Sequence, residues 1–314
     1  MGLLRERHRR AANFMNPLAQ EIKLGNLLGM IPSAGLTGNV YYADPSSGND
    51  KNAGTSPDKA KKTLQAAIDL CTNNNGDFII RMRGGEAVTS TVLFNKSGIT
   101  VVAQDYGMAP LANGEYFATY SETLVDAPVG IVSADGVTIA GLGFAGDDAT
   151  ATFYGGAALL IGGVGLATPF GVRIVSCRFP KWGLDNRIGI AVEGSSDCII
   201  EHCCFEGVGA DFDSGVYIQG ATQNIQVSDN RFQDCTYGVL LGTITGGTGG
   251  PHLILKSNVF EDSKVLSAGV GAGVNTGLVC DNWCEGATDT GSYSATVDNL
   301  NTGGFVFSGN HYAE

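Results

Sequence analysis

One short pattern recurs along the second half of this chain and constrains its fold more than any other feature. It is an apolar–polar–apolar alternation that leads to Asn, Cys or Leu at the sixth position and to an aromatic residue or Cys at the eighth. The seven copies are VTIAGLGF (137–144), VRIVSCRF (172–179), CIIEHCCF (198–205), IQVSDNRF (225–232), LILKSNVF (253–260), GLVCDNWC (277–284) and FVFSGNHY (305–312). Successive copies end 24 to 35 residues apart. Alternation with period two indicates half-buried strands, and a recurrence of this length indicates a solenoid, a propeller or an array.

The spacing favours a parallel β-helix running from about residue 78 to residue 312. Four-stranded propeller blades need longer repeats, whereas a coil of 24 to 28 residues holds about three short strands with their turns. Equivalent positions of successive coils would then stack about 4.8 Å apart. Further strands of the coils are predicted at residues 188–192, 215–218 and 238–241, and those of looser early coils at 78–80, 92–94, 99–101, 131 and 159–161.

Two columns of stacked side chains follow from this register. The sixth position of the pattern gives Leu142, Cys177, Cys203, Asn230, Asn258, Asn282 and Asn310. Stacked asparagines can form an amide ladder, and Asn also tolerates the left-handed backbone of a sharp corner. The eighth position predicts an internal aromatic stack of phenylalanines continued by Cys284 and Tyr312. Since parallel neighbours point alike, we expect Cys177 and Cys203 to stay reduced.

The two ends of the predicted solenoid differ. Residues 63–74 predict an amphipathic helix that begins near Thr63 or Ser56 and covers the first coil. Its predicted buried face consists of Leu64, Ala67, Ile68 and Cys71. The printed sequence ends two residues after Tyr312. We therefore expect the last coil either to cap itself or to be covered by another chain.

The segment YYADPSSGNDKNAGTSPDKAKKTLQAAIDL (41–70) resembles the entry motif of right-handed β-helices of the pectate-lyase-like superfamily. The matching residues are Tyr42, Asp44, Pro45, Gly48, Asn49, Asp50, Gly54, Thr55, Ser56, Pro57 and Lys62 through Ile68. With the coils, the resemblance covers residues 40–314. It implies an all-β fold: a right-handed single-stranded parallel β-helix (78–314) preceded by an entry strand and capping helix (39–77). Residues 1–38 lie outside the resemblance and are expected to form an extended or helical N-terminal arm. The same entry occurs in lyases, hydrolases, surface proteins and phage tailspikes, so it implies no single function.

Charge separates the arm from the body. Residues 1–36 contain five Arg or Lys residues against two Glu, a net charge of +3, whereas the whole chain carries −12, which leaves −15 on the remainder. An acidic body argues against nucleic acid as a partner. No run of 18 apolar residues predicts a membrane span. Glu21 and Lys23 directly precede the apolar run near residue 24, which argues against a signal peptide.

A short arm joined to a β-helix looks like a phage virion protein, either a capsid decoration protein or a short tail spike. The resemblance implies a homotrimer that is located on the virion, with a secreted protein as the alternative. The arm would dock on capsid or tail proteins, and contact with host glycans is a further expectation. We expect the arm's arginines to anchor the particle: Arg5, Arg7, Arg9 and Arg10. No cofactor is predicted.

The alternative is a polysaccharide depolymerase, either a glycoside hydrolase or a lyase. Hydrolysis needs two carboxylates about 5–9.5 Å apart, and the candidates are Asp211 and Asp213, which share a face of an extended segment, with Asp185. Asp185, Asp211 and Asp234 each precede a coil glycine by four residues, so they could form an acidic column. Other acids nearby are Glu193, Asp197, Glu201 and Glu206.

Simpler interpretations stay open for these residues. Asp before a strand is ordinary turn chemistry, and a column of ionised carboxylates would be solvated or would hold a cation such as Ca²⁺. The run from His202 to Cys204 is a weak metal signal, and buried small thiols explain it equally well. Four strand aromatics could stack on sugars if exposed, although packing is the commoner role: Trp182, Trp283, Tyr217 and Tyr237.

Overall fold

The computed structural model shows a β-solenoid in the described part of the chain. It describes residues 38–104, 118–121, 124, 127–146, 156–163, 168–180, 188–207, 214–220, 222–242, 252–268, 276–285 and 305–313. The arm arginines Arg5, Arg7, Arg9 and Arg10 lie outside these residues. In the described part, no helix has the length and apolarity needed to cross a bilayer.

Three parallel sheets run along the solenoid. The first sheet has ten strands: β1 (Val40–Ala43), β2 (Phe78–Arg81), β5 (Thr100–Ala103), β8 (Thr138–Ala140), β11 (Arg173–Val175), β14 (Ile199–Glu201), β17 (Ile225–Ser228), β20 (His252–Lys256), β23 (Thr276–Cys280) and β25 (Phe305–Ser308). The second has nine: β3 (Glu86–Ala87), β6 (Ala118–Ser121), β9 (Gly143–Gly146), β12 (Arg178–Phe179), β15 (Cys204–Glu206), β18 (Arg231–Gln233), β21 (Val259–Glu261), β24 (Trp283–Glu285) and β26 (His311–Ala313). The third has seven: β4 (Val92–Phe94), β7 (Gly130–Val132), β10 (Ala157–Gly162), β13 (Ile188–Glu193), β16 (Ser214–Gln219), β19 (Tyr237–Leu241) and β22 (Lys264–Ala268).

The order of the strands confirms the predicted coils. The chain passes from the first sheet to the second and then to the third, and each strand pairs in parallel with its equivalent in the next coil, as β14 does with β17. Each of the seven recurrent segments spans one first-sheet strand, a corner and one second-sheet strand. The sheet also extends one strand further than predicted, because β1 pairs with β2.

The corner between the first and second sheets corrects one detail of the sequence prediction. The left-handed residue is the one that precedes the ladder position, as at His202 (φ 56°), Asp229 (φ 57°) and Asp281 (φ 56°). The ladder asparagines are not among the described residues with positive φ. Asn is therefore required at this corner for its amide, and the backbone reversal is made by its neighbour.

The asparagine ladder is confirmed and satisfies both ends of each buried amide. The Oδ1 atom of Asn258 accepts from the backbone N–H (2.9 Å) and from Nδ2 (3.0 Å) of Asn230. Its Nδ2 donates to Oδ1 of Asn282 (3.0 Å) and to the carbonyl of Val227 (3.0 Å). The same contacts continue to Asn310. Asn230, Asn258 and Asn282 thus each bind the coil before and the coil after, whereas the bonds of Asn310 in the described part go to the coil before it.

The aromatic stack is confirmed for the phenylalanines, and the side chain of Tyr312 lies outside the described part. Four phenylalanine rings from Phe179 to Phe260 stack with centroids 4.8 Å apart and interplanar angles of 5–7°. This stack explains the glycines at the start of the third-sheet strands. A Cβ atom would lie 2.6 Å from the Phe205 ring at Gly189, and 2.4 Å from the Phe232 ring at Gly215.

A helix lies before the coils, but it is shorter than predicted. Helix α1 (Leu64–Ile68) begins after Thr63, whose Oγ1 accepts from the N–H of Ala66 (3.2 Å). All four residues of its predicted apolar face are buried. After Ile68 the backbone tightens into i→i−3 bonds, and the Asp77 carboxylate accepts from the N–H of Thr72 (2.6 Å). This bond draws the chain into the turn that enters β2.

The acidic residues of the entry motif are turn and cap residues. Oδ1 of Asp44 accepts from the N–H groups of Ser46 (2.9 Å) and Ser47 (3.1 Å). Oδ1 of Asp50 accepts from the N–H groups of Lys62 (2.8 Å) and Thr63 (2.9 Å) and so fixes the start of α1. Because these bonds form turns and the start of a helix, the motif indicates the fold and gives no information about function.

Replacing Asn258 with Ala is expected to lower the free energy of unfolding by about 2–4 kcal/mol, since several buried donors and acceptors lose their partner at once. Urea unfolding followed by circular dichroism measures the change. Asn310→Ala is the matched control and should cost less, because Asn310 is only half-buried and water can replace the lost bonds. Equal losses in the two variants would contradict the ladder as a buried, two-sided contact.

Acid should weaken the entry turn through Asp77. Burial alone would raise the pKa of Asp77, but the hydrogen bonds from Thr72, Asn39 and Asn75 outweigh it and lower the pKa. The stabilisation is therefore complete above the unfolded value of about 3.9 and is lost as pH falls below it. We expect the urea midpoint to fall less steeply between about pH 5 and pH 2 in Asp77→Asn than in the parent. The exposed carboxylate variant Asp69→Asn should keep the parental slope; identical slopes in all three proteins would exclude this role.

Candidate functional site

The carboxylates predicted for catalysis, Asp185, Asp211 and Asp213, lie outside the described residues. Asp211 and Asp213 belong to the connection from β15 to β16, and Asp185 belongs to that from β12 to β13. Both connections lead from the second sheet to the third. Because β12 pairs with β15 and β13 with β16, the two connections leave and rejoin adjacent strands.

A small recess lies where these connections meet the described strands. Its lining includes Pro180, Phe205, Glu206, Gly207 and Ser214. The Oγ atom of Ser214 is buried and has no hydrogen-bond partner among the described residues. The Ser214 hydroxyl and the Glu206 carboxylate thus line a recess beside the connections that carry the predicted acids.

Two of the three glutamates that the sequence grouped with these acids, Glu201 and Glu206, form ion pairs between coils. Arg173 pairs with Glu201 and Arg178 with Glu206, each at 2.6 Å. The partners lie 28 residues apart in sequence, which is one coil. Such partly exposed pairs contribute less than about 1 kcal/mol each. Their guanidinium partners hold these carboxylates on the outer face of the solenoid.

The aspartates of the described corners adopt the left-handed conformation. Asp197 has φ 53° and Asp234 has φ 54°, and Oδ1 of Asp197 accepts from Nδ2 of Asn224 (2.9 Å). Asx residues tolerate this conformation at low cost, so it accounts for their presence. For the described member of the predicted acidic column, Asp234, turn chemistry is therefore sufficient.

The cysteines are structural. All eight are free thiols, and Sγ of Cys203 contacts the carbonyl of Ile174 (3.6 Å). Burial raises the pKa of Cys198 and Cys284 to about 12, which suppresses the thiolate needed for nucleophilic attack or metal binding.

The run from His202 to Cys204 does not converge on one point. His202 occupies a left-handed corner, Cys203 points inward and Cys204 begins the next strand. No group of three or more His, Cys, Asp or Glu residues in the described part could hold a metal ion. The Ca²⁺ alternative rests on Asp185, Asp211 and Asp213, which lie outside that part.

The strand aromatics that could stack on sugars differ in their exposure. Tyr217 is buried, with 5% of its surface exposed, and Trp182 lies outside the described residues. Trp283 is half-buried on the outer face of β24, in ring contact with the exposed His311 of β26. The alternation with buried Cys284 already predicts that Trp283 points outward, so the sequence contained the signal for this exposed pair.

Comparison with known proteins agrees with the fold. A family model described as "Right handed beta helix region" matches residues 162–313, just under half of the chain. Together with the three parallel sheets, this match gives a right-handed parallel β-helix. No curated protein matches the sequence.

Several solved structures are distantly similar. A rhamnogalacturonan lyase is 15% identical, with a TM-score of 0.45 over 79% of this chain and 68% of that chain. The pectate lyase Pel9A is 13% identical, with a TM-score of 0.41 over 87% and 78%. Geobacillus virus E2 ORF18 is 12% identical, with a TM-score of 0.31 over 83% and 63%. At these identities and TM-scores, the likeness supports no inference about activity.

Proposed function

We propose that this chain is a structural protein of a phage virion, a capsid decoration protein or short tail spike, whose β-helix forms a rigid shaft. The observation that supports the proposal is that the charged residues of the described part have structural roles. Arginines and glutamates of the repeats join neighbouring coils, and corner aspartates turn the chain. In the described part, these charged groups therefore stabilise the fold of the solenoid.

The shaft has the dimensions and bonding of a spacer. Ten strands of the first sheet, at about 4.8 Å each, extend about 45 Å along the axis. The amide ladder and the phenylalanine stack each run through four successive coils, so the stiffness there comes from contacts repeated from coil to coil. Helix α1 would cap the first coil, since buried Leu64 and Ile68 belong to the same core as the coils.

The arm supplies the attachment. A net charge of +3 on residues 1–36 against −15 on the remainder favours docking of residues 1–38 on an acidic surface of capsid or tail proteins. The oligomer in this proposal is a homotrimer, which the virion β-helix resemblance implies. Host glycans would be contacted by the shaft.

Removal of residues 2–37 should abolish attachment. Purified full chain, added to particles assembled without this protein, is expected to co-sediment with them, and less so as salt rises, since screening weakens charge attraction. A variant carrying Arg→Ser at positions 5, 7, 9 and 10 should sediment poorly, and the truncated chain not at all. Sedimentation equilibrium should give three times the chain mass of 32.5 kDa. A monomer that ignores particles, or a truncation without effect, would overturn the proposal.

The second candidate, glycan depolymerisation, is favoured by the recess beside the connections that carry Asp185, Asp211 and Asp213. If these carboxylates act on a glycan, Asp211→Asn should slow cleavage at least about 100-fold. Release of reducing ends detects either reaction, and an unsaturated product marks a lyase. Asp262→Asn is the matched control, because Asp262 is a left-handed corner residue (φ 47°) and Asn accepts that conformation. Unchanged cleavage in Asp185→Asn, Asp211→Asn and Asp213→Asn alike would reject the site.

A further inference from the structure

An aromatic platform lies at the far end of the second sheet. Trp283 of β24 and His311 of β26 are direct partners in the parallel pairing, and their ring centroids lie 6.2 Å apart at an interplanar angle of 34°. The Trp283 ring points away from the core, because the adjacent residue Cys284 is buried in it, and its pairing partner His311 is exposed. Val259 of β21 is the preceding member of this outward column.

Carboxylates border this platform. The neighbouring outward column contains Glu261 and Glu285, which are partners in the pairing of β21 with β24. Arg231 binds Glu261 through two hydrogen bonds, from Nη2 (2.6 Å) and Nε (3.1 Å), so its charge is matched locally. Glu285 lies beside Trp283, and Asp281 is exposed at the adjacent corner. The surface therefore combines ring faces with hydrogen-bond acceptors and a negative potential.

The composition of the outer column changes where the platform begins. In two earlier coils an arginine of this column pairs with the glutamate of the next coil, Arg178 with Glu206 and Arg231 with Glu261, while Cys204 occupies the position between the two arginines. At the next position of the column, Val259 takes the place of arginine, and Trp283 and His311 follow. The rung-to-rung ion pairs thus give way to two rings that are not needed for the internal stack.

We propose that Trp283 and His311 bind the face of a neutral or amino-sugar pyranose in a glycan chain. The apolar C–H face of the sugar would pack on the Trp283 ring, and its hydroxyl or ammonium groups would donate to Glu261 and Glu285. Uronic acid residues would be repelled by the exposed Asp281 and by the net charge of −12 on the chain. The two rungs of the platform span only about 10 Å, which suits a disaccharide.

The platform does not depend on the proposed virion role. It lies on β21, β24 and β26 of the second sheet. An enzyme and a structural protein could each use it to hold a glycan.

The chain offers a direct reporter for the test, since it contains only two tryptophans, Trp182 and Trp283. In Trp182→Phe, all tryptophan fluorescence comes from the platform. Titration with the neutral hexa-N-acetylchitohexaose, the cationic chitosan hexamer and the anionic hexagalacturonic acid should give saturable fluorescence changes with the first two probes and none with the third. Calorimetry with chitosan hexamer should show about tenfold weaker binding for Trp283→Ala, as expected for loss of an aromatic stack.

Phe170→Ala is the matched control, since Phe170 is an aromatic residue exposed elsewhere (57%) and its removal should leave binding unchanged. Circular dichroism must show the parental fold for each variant, and His311→Ala provides a second, milder variant that should also weaken binding. Parental affinity in Trp283→Ala, or a preference for hexagalacturonic acid, would overturn the proposal. So would a smaller oligomer mass in Trp283→Ala, because the rings would then belong to an interface between copies.

Discussion

The buried amide at the first corner is the contact on which the rest of this fold depends. A central ladder asparagine such as Asn258 binds a backbone N–H, a backbone carbonyl and two neighbouring amides. It therefore sets the rise from one coil to the next at the place where the chain turns most sharply. Once that rise is set, the phenylalanine rings stack two residues later. The glycines of the third sheet then leave space for the ring edges.

Much of the fold could be predicted from sequence because the residues that make one contact recur in several successive coils. Asn258 and Phe260 were assigned correctly since their equivalents recur at one spacing. The left-handed conformation was assigned to Asn258 when it belongs to Ser257 (φ 55°), because side-chain identity pointed to the ladder and not to its variable neighbour. The predicted helix of residues 63–74 ends at Ile68, since Asp77 binds the turn that follows.

The candidate site was harder to predict for a physical reason. Glu201 and Glu206 looked like part of one acidic cluster, yet each pairs with an arginine one coil away. Such partners are close only after the coils are stacked, and sequence distance conceals them. Asp211 and Asp213 lie in a connection whose length differs from coil to coil, so no repeat constrains their position. Trp283 is the opposite case, because its alternation with Cys284 already fixed which side of the strand it occupies.

The three corners of a coil differ in how much chain they contain. Two residues separate the strands at the first corner in every coil from β8 to β26, as between Glu201 and Cys204. From the second sheet to the third, by contrast, the separation varies from two residues (Glu261 to Lys264) to ten (Gly146 to Ala157). The second corner is therefore the place where insertions, natural or engineered, should be tolerated best. A peptide grafted at the second corner would be displayed on the surface at a chosen height, while the pitch of the coil, held at the opposite corner, stays the same.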